Sequence, residues 1–435
     1  MARGQWNFSG YIVSDCGAIA DFLALNDCSG CEGQFPGGDP KTGKYLPCHG
    51  LCTDANMTSQ CPACGSKCIF EKMFAGGTDS ACGGFGDKDG ATRAGGTTKA
   101  ELVASSQRIL RVMISLGLVN PPDKQPYAQL GKDDVATDAT RQLNLEAARQ
   151  SIVLVKNDPA WDEGERALPI KPGMTVAAIG PHAKATAGMC SSYGPPLPGA
   201  TAKAHVISPY EALLAAGFNT TYAPGAGIGF VATPVWLDEA ARLAERVDVA
   251  VVFVGLDGGQ EHESGDRNAT GYGLKLPGDQ QELVRRVQQA NAKTVVVLIH
   301  GSPVAIEYAK AHVPAIVDAH YPGAMGGVAI ADVLTGAYNP SGRLTTTVYP
   351  QSFVNRSIAD TGLRSDGGLT YMHYDGTHGE PLWEFGHGLS YANFSAQPHG
   401  QPPPSTLSTN ALAGGDIAFS VQVRWRRMLF GLVHT

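Results

Sequence analysis

The chain has 435 residues, with Lys plus Arg at 33 against Asp plus Glu at 40, a formal net charge of −7, and 43% hydrophobic and 17% charged residues. That length holds two or three domains of roughly 100–200 residues each, and the composition excludes a disordered acidic tail and a highly charged coiled coil. The sequence carries no Lys/Arg run and no apolar stretch near the ~20 residues of a membrane helix, which argues against nucleic acid and membrane as partners.

In chain order, Gly10 to Asp15 is a short β-branched and aromatic run ending on a carboxylate, the pattern of a buried parallel strand. Residues 26–95 are rich in Gly, Cys and Asp with little periodicity and read as a long insertion. Glu101 to Leu116 reads as a helix with Leu102, Ile109, Leu110, Met113 and Leu116 near one face and Gly117 after its end. Pro121-Pro122 opens a linker.

From about residue 140 the pattern becomes regular. Helices are predicted over Arg141–Gln150, Trp236–Arg246, Asp279–Ala290 and Val328–Leu334. Strands are predicted over Ile152–Val155, Thr175–Ile179, Asp248–Val254, Thr294–Ile299 and Ala315–Val317. Strands alternating with helices imply an α/β fold with a parallel sheet covered on both faces. Residues 340–400 read as Gly/Pro/aromatic connections, and Ile417 to Trp425 alternates as one half-buried strand with no visible pairing partner.

Of ten cysteines, seven lie between Cys28 and Cys68, flanked by Cys16 and Cys82, with Cys190 alone. The Cys-x-x-Cys pairs 28/31 and 61/64 could hold zinc; a disulfide-stapled insertion is the competing and favoured reading. Six Asn-x-Ser/Thr sequons, at Asn7, Asn56, Asn219, Asn268, Asn355 and Asn393, point the same way, towards an oxidising secretory route.

Ligands of parallel α/β folds collect at the carboxyl ends of strands. Two acidic positions fall there. Asp15 can serve as nucleophile, base or metal ligand, and equally well as a helix cap. The second is the loop Gly255 to Arg267, with Asp257, Glu261, Glu263 and Asp266 beside His262 and Arg267; a solvated surface loop is the bland alternative. Glu261 and Glu263, two apart, face the same way in an extended segment. Asp15 and Glu263 lie far apart in sequence, as for a site formed between domains. Gly225-Ala-Gly227-Ile-Gly229 follows no clear strand and makes a poor nucleotide loop. His300, His320 and His373 read as scattered structural singles.

These residues carry a resemblance. The segment Arg3 to Cys16, through Tyr11-Ile-Val-Ser-Asp15, resembles the nucleophile motif of family 3 glycoside hydrolases, in the form of the plant and fungal β-xylosidase branch. Ala75 to Gly83, Leu145 to Asn157, Ala178 to Pro181, Leu276 to Leu283, Tyr321-Pro-Gly, Asn339 to Leu344 and Phe385 to Tyr391 are similar to further family motifs in the same order. The resemblance implies a (β/α)8 barrel, an α/β sandwich domain and a fibronectin type III-like β-sandwich. On this chain those become a C-terminal barrel remnant over 1–120, a linker over 121–140, the sandwich domain over 141–350, a connecting segment over 351–400 and the start of the β-sandwich over 401–435. It also implies an exo-acting, retaining glycosidase of the β-xylosidase or α-L-arabinofuranosidase type, with β-glucosidase as a further alternative. By the same resemblance Asp15 is the nucleophile and Glu263 the acid/base, Glu261 being the alternative; the partner is a xylan-type oligosaccharide, no metal or organic cofactor is required, and the protein is secreted.

A complete barrel takes about 250 residues, so the reading expects a fragment lacking the first six strands and the signal peptide, with exposed strand edges and apolar faces. A catalytically silent carbohydrate-binding protein and a metal-binding module built on the Cys cluster are the competing expectations.

Overall fold

The computed structural model describes residues 2–15, 76–80, 82, 98–161, 164–191, 206–229, 234–261, 273–357, 360, 362–399 and 420–426. These fall into two compact units, Met1–Thr137 and Asp138–Thr435.

In the first unit the main element is helix α1, Lys99–Ser115. Its start is a capping box: the Thr98 hydroxyl accepts from the Glu101 N–H while the Glu101 carboxylate accepts from the Thr98 N–H. The predicted apolar face is not the covered one. Leu102, Leu110, Met113 and Leu116 are exposed, and the half-buried stripe runs through Glu101, Ala104, Ser105, Arg108, Ile109 and Val112. That stripe keeps the i, i+3, i+4, i+7 period, but its centre is polar because it packs over a carboxylate, Asp79.

The second unit is a six-stranded sheet in the order β1-β6-β5-β4-β2-β3. Its strands are β1 (Val153–Asn157), β2 (Thr175–Ile179), β3 (Asn219–Ala223), β4 (Val249–Gly255), β5 (Thr294–Ile299) and β6 (Ala315–Asp318). All neighbours are parallel except β1, which runs antiparallel to β6 on the edge. β4 and β5 are buried along their whole lengths, as continuous Val-rich runs in a doubly covered sheet should be.

Alternate residues feed two cores. Val251 and Phe253 join one with α2 (Asp138–Ser151), α3 (Pro209–Ala215) and α7 (Gly326–Thr335). Ala250, Val252 and Val254 join the other with α4 (Pro234–Ala244), α5 (Gln280–Ala290) and α6 (Glu307–His312). The expected parallel α/β layer is therefore present, with α3, β3 and α6 in addition to the predicted elements. Among the described residues, the predicted connections over 340–400 contain one strand, β7 (Asn393–His399), which pairs antiparallel with β8 (Ser420–Arg426). The terminal strand thus has a partner that the sequence pattern concealed behind Pro398 and two small residues.

Among the described residues no helix is long and apolar enough to cross a membrane.

Candidate active site

Asp15 ends the Gly10–Asp15 segment and its side chain is exposed. The segment is extended, and among the described residues its strand pairing is one parallel bridge, Val13 to Ser80. Three backbone bonds make that clip: Asp79 N–H to Ile12 O (2.7 Å), Ser80 N–H to Ile12 O (3.2 Å) and Ser14 N–H to Ser80 O (2.9 Å). The Cys82 N–H donates to the Ser14 hydroxyl (3.2 Å). Asp15 therefore follows directly on a fixed backbone.

The clip is organised by Asp79, whose side chain is fully buried. Its Oδ1 accepts from Arg108 Nε (2.8 Å) and Nη2 (2.6 Å), a bidentate grip, and its Oδ2 accepts from Arg3 and from the Ile12 N–H (2.9 Å). Ser105 of α1 donates to the Asp79 carbonyl (2.7 Å). Burial pushes the Asp79 carboxyl up, but the Arg108 and Ile12 hydrogen bonds and the two guanidinium charges outweigh it, so the group sits below the ordinary carboxylate range. One buried carboxylate thereby ties the chain before Asp15 to α1.

The other acidic position lies in the second unit. β4 ends at Gly255, with φ +147, where an added Cβ would lie 1.8 Å from Ile299 O. Only glycine can leave the sheet there. The turn that follows is closed by Asp257, whose carbonyl accepts from the Gln260 and Glu261 N–H groups (3.0 and 3.2 Å). It delivers Glu261 to the carboxyl ends of β5 and β6. There Glu261 Oε1 accepts from the backbone N–H groups of Gly301 (2.7 Å) and Ser302 (2.6 Å) and the Ser302 hydroxyl (3.1 Å), and Oε2 accepts from the Tyr321 phenol (2.5 Å). Burial and that bond push the Tyr321 phenol above its ordinary range. Glu263, Asp266 and Arg267 lie outside the described residues.

Sequence reasoning named Glu261 but missed its cradle of Ser302 and Tyr321. The signal available was position: both follow a strand end directly, and Tyr321-Pro-Gly is one of the family-like motifs.

The histidines are not all scattered. His300 and His320, at the ends of β5 and β6, both face Asp318: His300 Nε2 is 3.2 Å and His320 Nδ1 3.4 Å from Asp318 Oδ1. Parallel pairing of β5 with β6 brings the two strand ends together, which spacing along the chain could not reveal. Burial opposes the charge on both His300 and Asp318, yet their mutual attraction outweighs it, so the imidazole shifts up and the carboxyl down. His373 is absent from this group.

The Gly225 loop does follow a strand, β3, contrary to the sequence expectation. It is a packing loop. Gln280 of α5, fully buried, donates to Ile228 O (2.8 Å) and Gly255 O (3.0 Å) and accepts from the Gly255 N–H (2.7 Å). A Cβ on Gly225 would meet the Leu283 side chain at 2.5 Å. Among the described residues Cys82 is disulfide-bonded and Cys190 is free, its thiol pushed up by burial.

Residues 152–391 match the glycosyl hydrolase family 3 C-terminal domain. The chain is similar to probable β-D-xylosidase 7 of Arabidopsis thaliana, 33% identical over 403 residues, covering 91% of this chain and 46% of that protein. It is also 33% identical to β-xylosidase/α-L-arabinofuranosidase 1 of Medicago sativa subsp. varia, over 90% of this chain and 45% of that one. Among solved structures, a family 3 exo-β-xylosidase in complex with a xylobiose aziridine probe superposes with a TM-score of 0.68 at 26% identity, over 90% of this chain and 45% of that one. A Listeria innocua β-glucosidase gives 0.65 at 21% identity over 93% and 50%, a likeness of fold alone. The chain spans about half the length of the curated relatives it matches. With its family-specific domain matched over more than half its residues, the chain belongs to glycosyl hydrolase family 3.

Proposed function

We propose that this chain carries the catalytic carboxylates of an exo-acting, retaining glycosidase that removes terminal β-D-xylosyl residues from xylan-type oligosaccharides. The observation that carries the reading is the placement of Asp15: an exposed carboxylate at the end of a segment fixed by the Asp79 cluster, in a stretch that resembles the nucleophile motif of the family.

In this mechanism Asp15 attacks the anomeric carbon and the sugar–oxygen bond breaks, leaving a glycosyl ester on Asp15. Glu263 gives its proton to the departing oxygen, then takes one from the water that hydrolyses the ester. Retention requires the two carboxyl groups about 5–5.5 Å apart across the sugar. Glu263 is favoured over Glu261 by the geometry of the latter. Both Glu261 oxygens already accept hydrogen bonds from Gly301, Ser302 and Tyr321, which suits an anchor for the loop and not a proton donor to substrate.

The chemistry uses carboxylates alone and calls for no cofactor. Residues 1–120 are assigned to a barrel domain and 401–435, of which only 420–426 are among the described residues, to a fibronectin type III-like domain. Secretion is supported by the Cys82 disulfide, since such bonds persist in oxidising compartments. α-L-Arabinofuranosidase activity is the second reading, supported by the double name of the Medicago relative.

The test is release of xylose from an aryl β-xyloside by the wild type and by Asp15→Ala. The variant should lose turnover while its thermal unfolding stays unchanged; undiminished turnover rejects Asp15 as nucleophile. Faster release of arabinose from an aryl α-L-arabinofuranoside than of xylose from the β-xyloside selects the second reading.

A further inference from the structure

We propose that His300, Asp318 and His320 form a divalent transition-metal site, with zinc the fitting ion, that clamps the ends of β5 and β6. One ligand atom from each of the three converges so that all lie within 4.8 Å of one another. Tetrahedral zinc with bonds of about 2.0–2.1 Å places its ligand atoms about 3.3–3.5 Å apart. The two edges to Asp318 Oδ1, 3.2 Å to His300 Nε2 and 3.4 Å to His320 Nδ1, already have that length. The third edge, between the two imidazole nitrogens, lies within 4.8 Å, so a small swing of the partly exposed His320 ring closes the triangle to that length. Two imidazoles and one carboxylate make a donor set suited to borderline divalent ions such as zinc, and a poor one for magnesium or calcium, which favour all-oxygen shells.

The surroundings fit an ion and exclude a substrate. The three side chains line one cavity of about 10 Å³ together with Trp383, Leu344 and the exposed Thr346. That volume suits a single water-sized occupant. His300 and Asp318 are buried, while the His320 side chain keeps 30% of its surface exposed, leaving a route for the ion. With three protein ligands, a water completes the tetrahedron.

The position gives the site a task. Gly301 and Ser302 follow His300, and Tyr321 follows His320; these three hold the Glu261 carboxylate. An ion joining His300 to His320 would therefore stiffen the platform on which the Glu261 loop rests. This role is separate from glycoside cleavage and holds whether or not the chain turns over a sugar.

The test uses the full chain, stripped with a chelator and titrated with zinc by calorimetry, and with cobalt(II) as a spectroscopic substitute. We expect one equivalent bound by nitrogen and oxygen ligands: visible cobalt d–d bands without a thiolate charge-transfer band, and a Tm that rises with zinc. His320→Ala, at a half-exposed position, should fold and lose both the equivalent and the rise; His300→Gln should lose the equivalent as well. Metal bound with a thiolate charge-transfer band only, an equivalent that survives in both variants, or no binding at all overturns the proposal.

Discussion

Replacing Glu261 by Ala removes the acceptor for two backbone N–H groups, one hydroxyl and one phenol. Hydrogen bonds to a charged group contribute about 1.5–3 kcal/mol each. Gly301 is exposed and Ser302 half-buried, so water can reach both amides once the carboxylate is gone, and the four contributions do not add. The net effect on local opening is that of about one such bond, about 1.5–3 kcal/mol. At about 1.4 kcal/mol per decade this is roughly 10- to 100-fold faster amide exchange at Gly301 and Ser302. Hydrogen exchange read by mass spectrometry over a peptide containing both residues measures it. Exchange in β4 and β5 should not change, since their cores do not involve Glu261. Tyr321→Phe removes the bond to Oε2 alone and should leave the two amides protected. The Tyr321 phenol, released from its carboxylate partner, should titrate lower in Glu261→Ala than in the wild type. Unchanged protection at Gly301 and Ser302 in Glu261→Ala would refute the anchoring role, and with it the reason for preferring Glu263 as the acid.

Burial drives the His182 imidazole down to about 4 against the upward pull of the Leu256 backbone. The unfolded chain, near 6.5, then binds more protons between those values, so this stability is full above about pH 6.5 and lost as pH falls towards 4, by about 3 kcal/mol. The fall in Tm between pH 7 and 4.5 should be smaller in His182→Leu than in the wild type; equal falls contradict a buried neutral imidazole. Asp79→Asn leaves the Arg3 and Arg108 guanidiniums without their anion, and because both arginines keep about a quarter of their surface exposed the cost is about 2–3 kcal/mol in urea unfolding of the first unit. An undiminished midpoint removes Asp79 as the organiser of the Asp15 segment. Phe253→Ala opens a cavity in a fully buried strand and should cost about 3–5 kcal/mol of second-unit stability, whereas Phe394→Ala on an exposed position should cost little; equal effects on Tm contradict the core assignment.

The central sheet was legible because doubly covered parallel strands must be uniformly apolar, and β4 and β5 are. α3 was legible too and was passed over. Ser208-Pro-Tyr-Glu211 is a capping box with Pro at its first position, and both reciprocal bonds form. β3 and β7 escaped for a different reason: Asn, Thr, Ser and Pro in short edge or exposed strands weaken the alternation by which strands are recognised. The apolar stripe on α1 misled because hydrophobicity marks the buried face only when the neighbour is apolar, and here the neighbour is Asp79 with its arginines. Asp15 and Glu261 could be picked out as carboxylates that follow extended segments, while the favoured acid/base, Glu263, lies outside the described residues. The cradle around Glu261 left only the weaker signal of Ser302 and Tyr321 lying just after strand ends, and the group His300, Asp318 and His320 left none, because it is made by the parallel register of β5 and β6 and not by any spacing along the chain.

The central claim is that Asp15 forms a covalent bond to the sugar. Incubating the protein with a xylose-configured aziridine, which traps a glycosidase nucleophile as a stable ester, and mapping the adduct by peptide mass spectrometry tests it directly. The account predicts a single adduct on the peptide holding Asp15, absent from Asp15→Ala. An adduct on another carboxylate, or none at all, contradicts it.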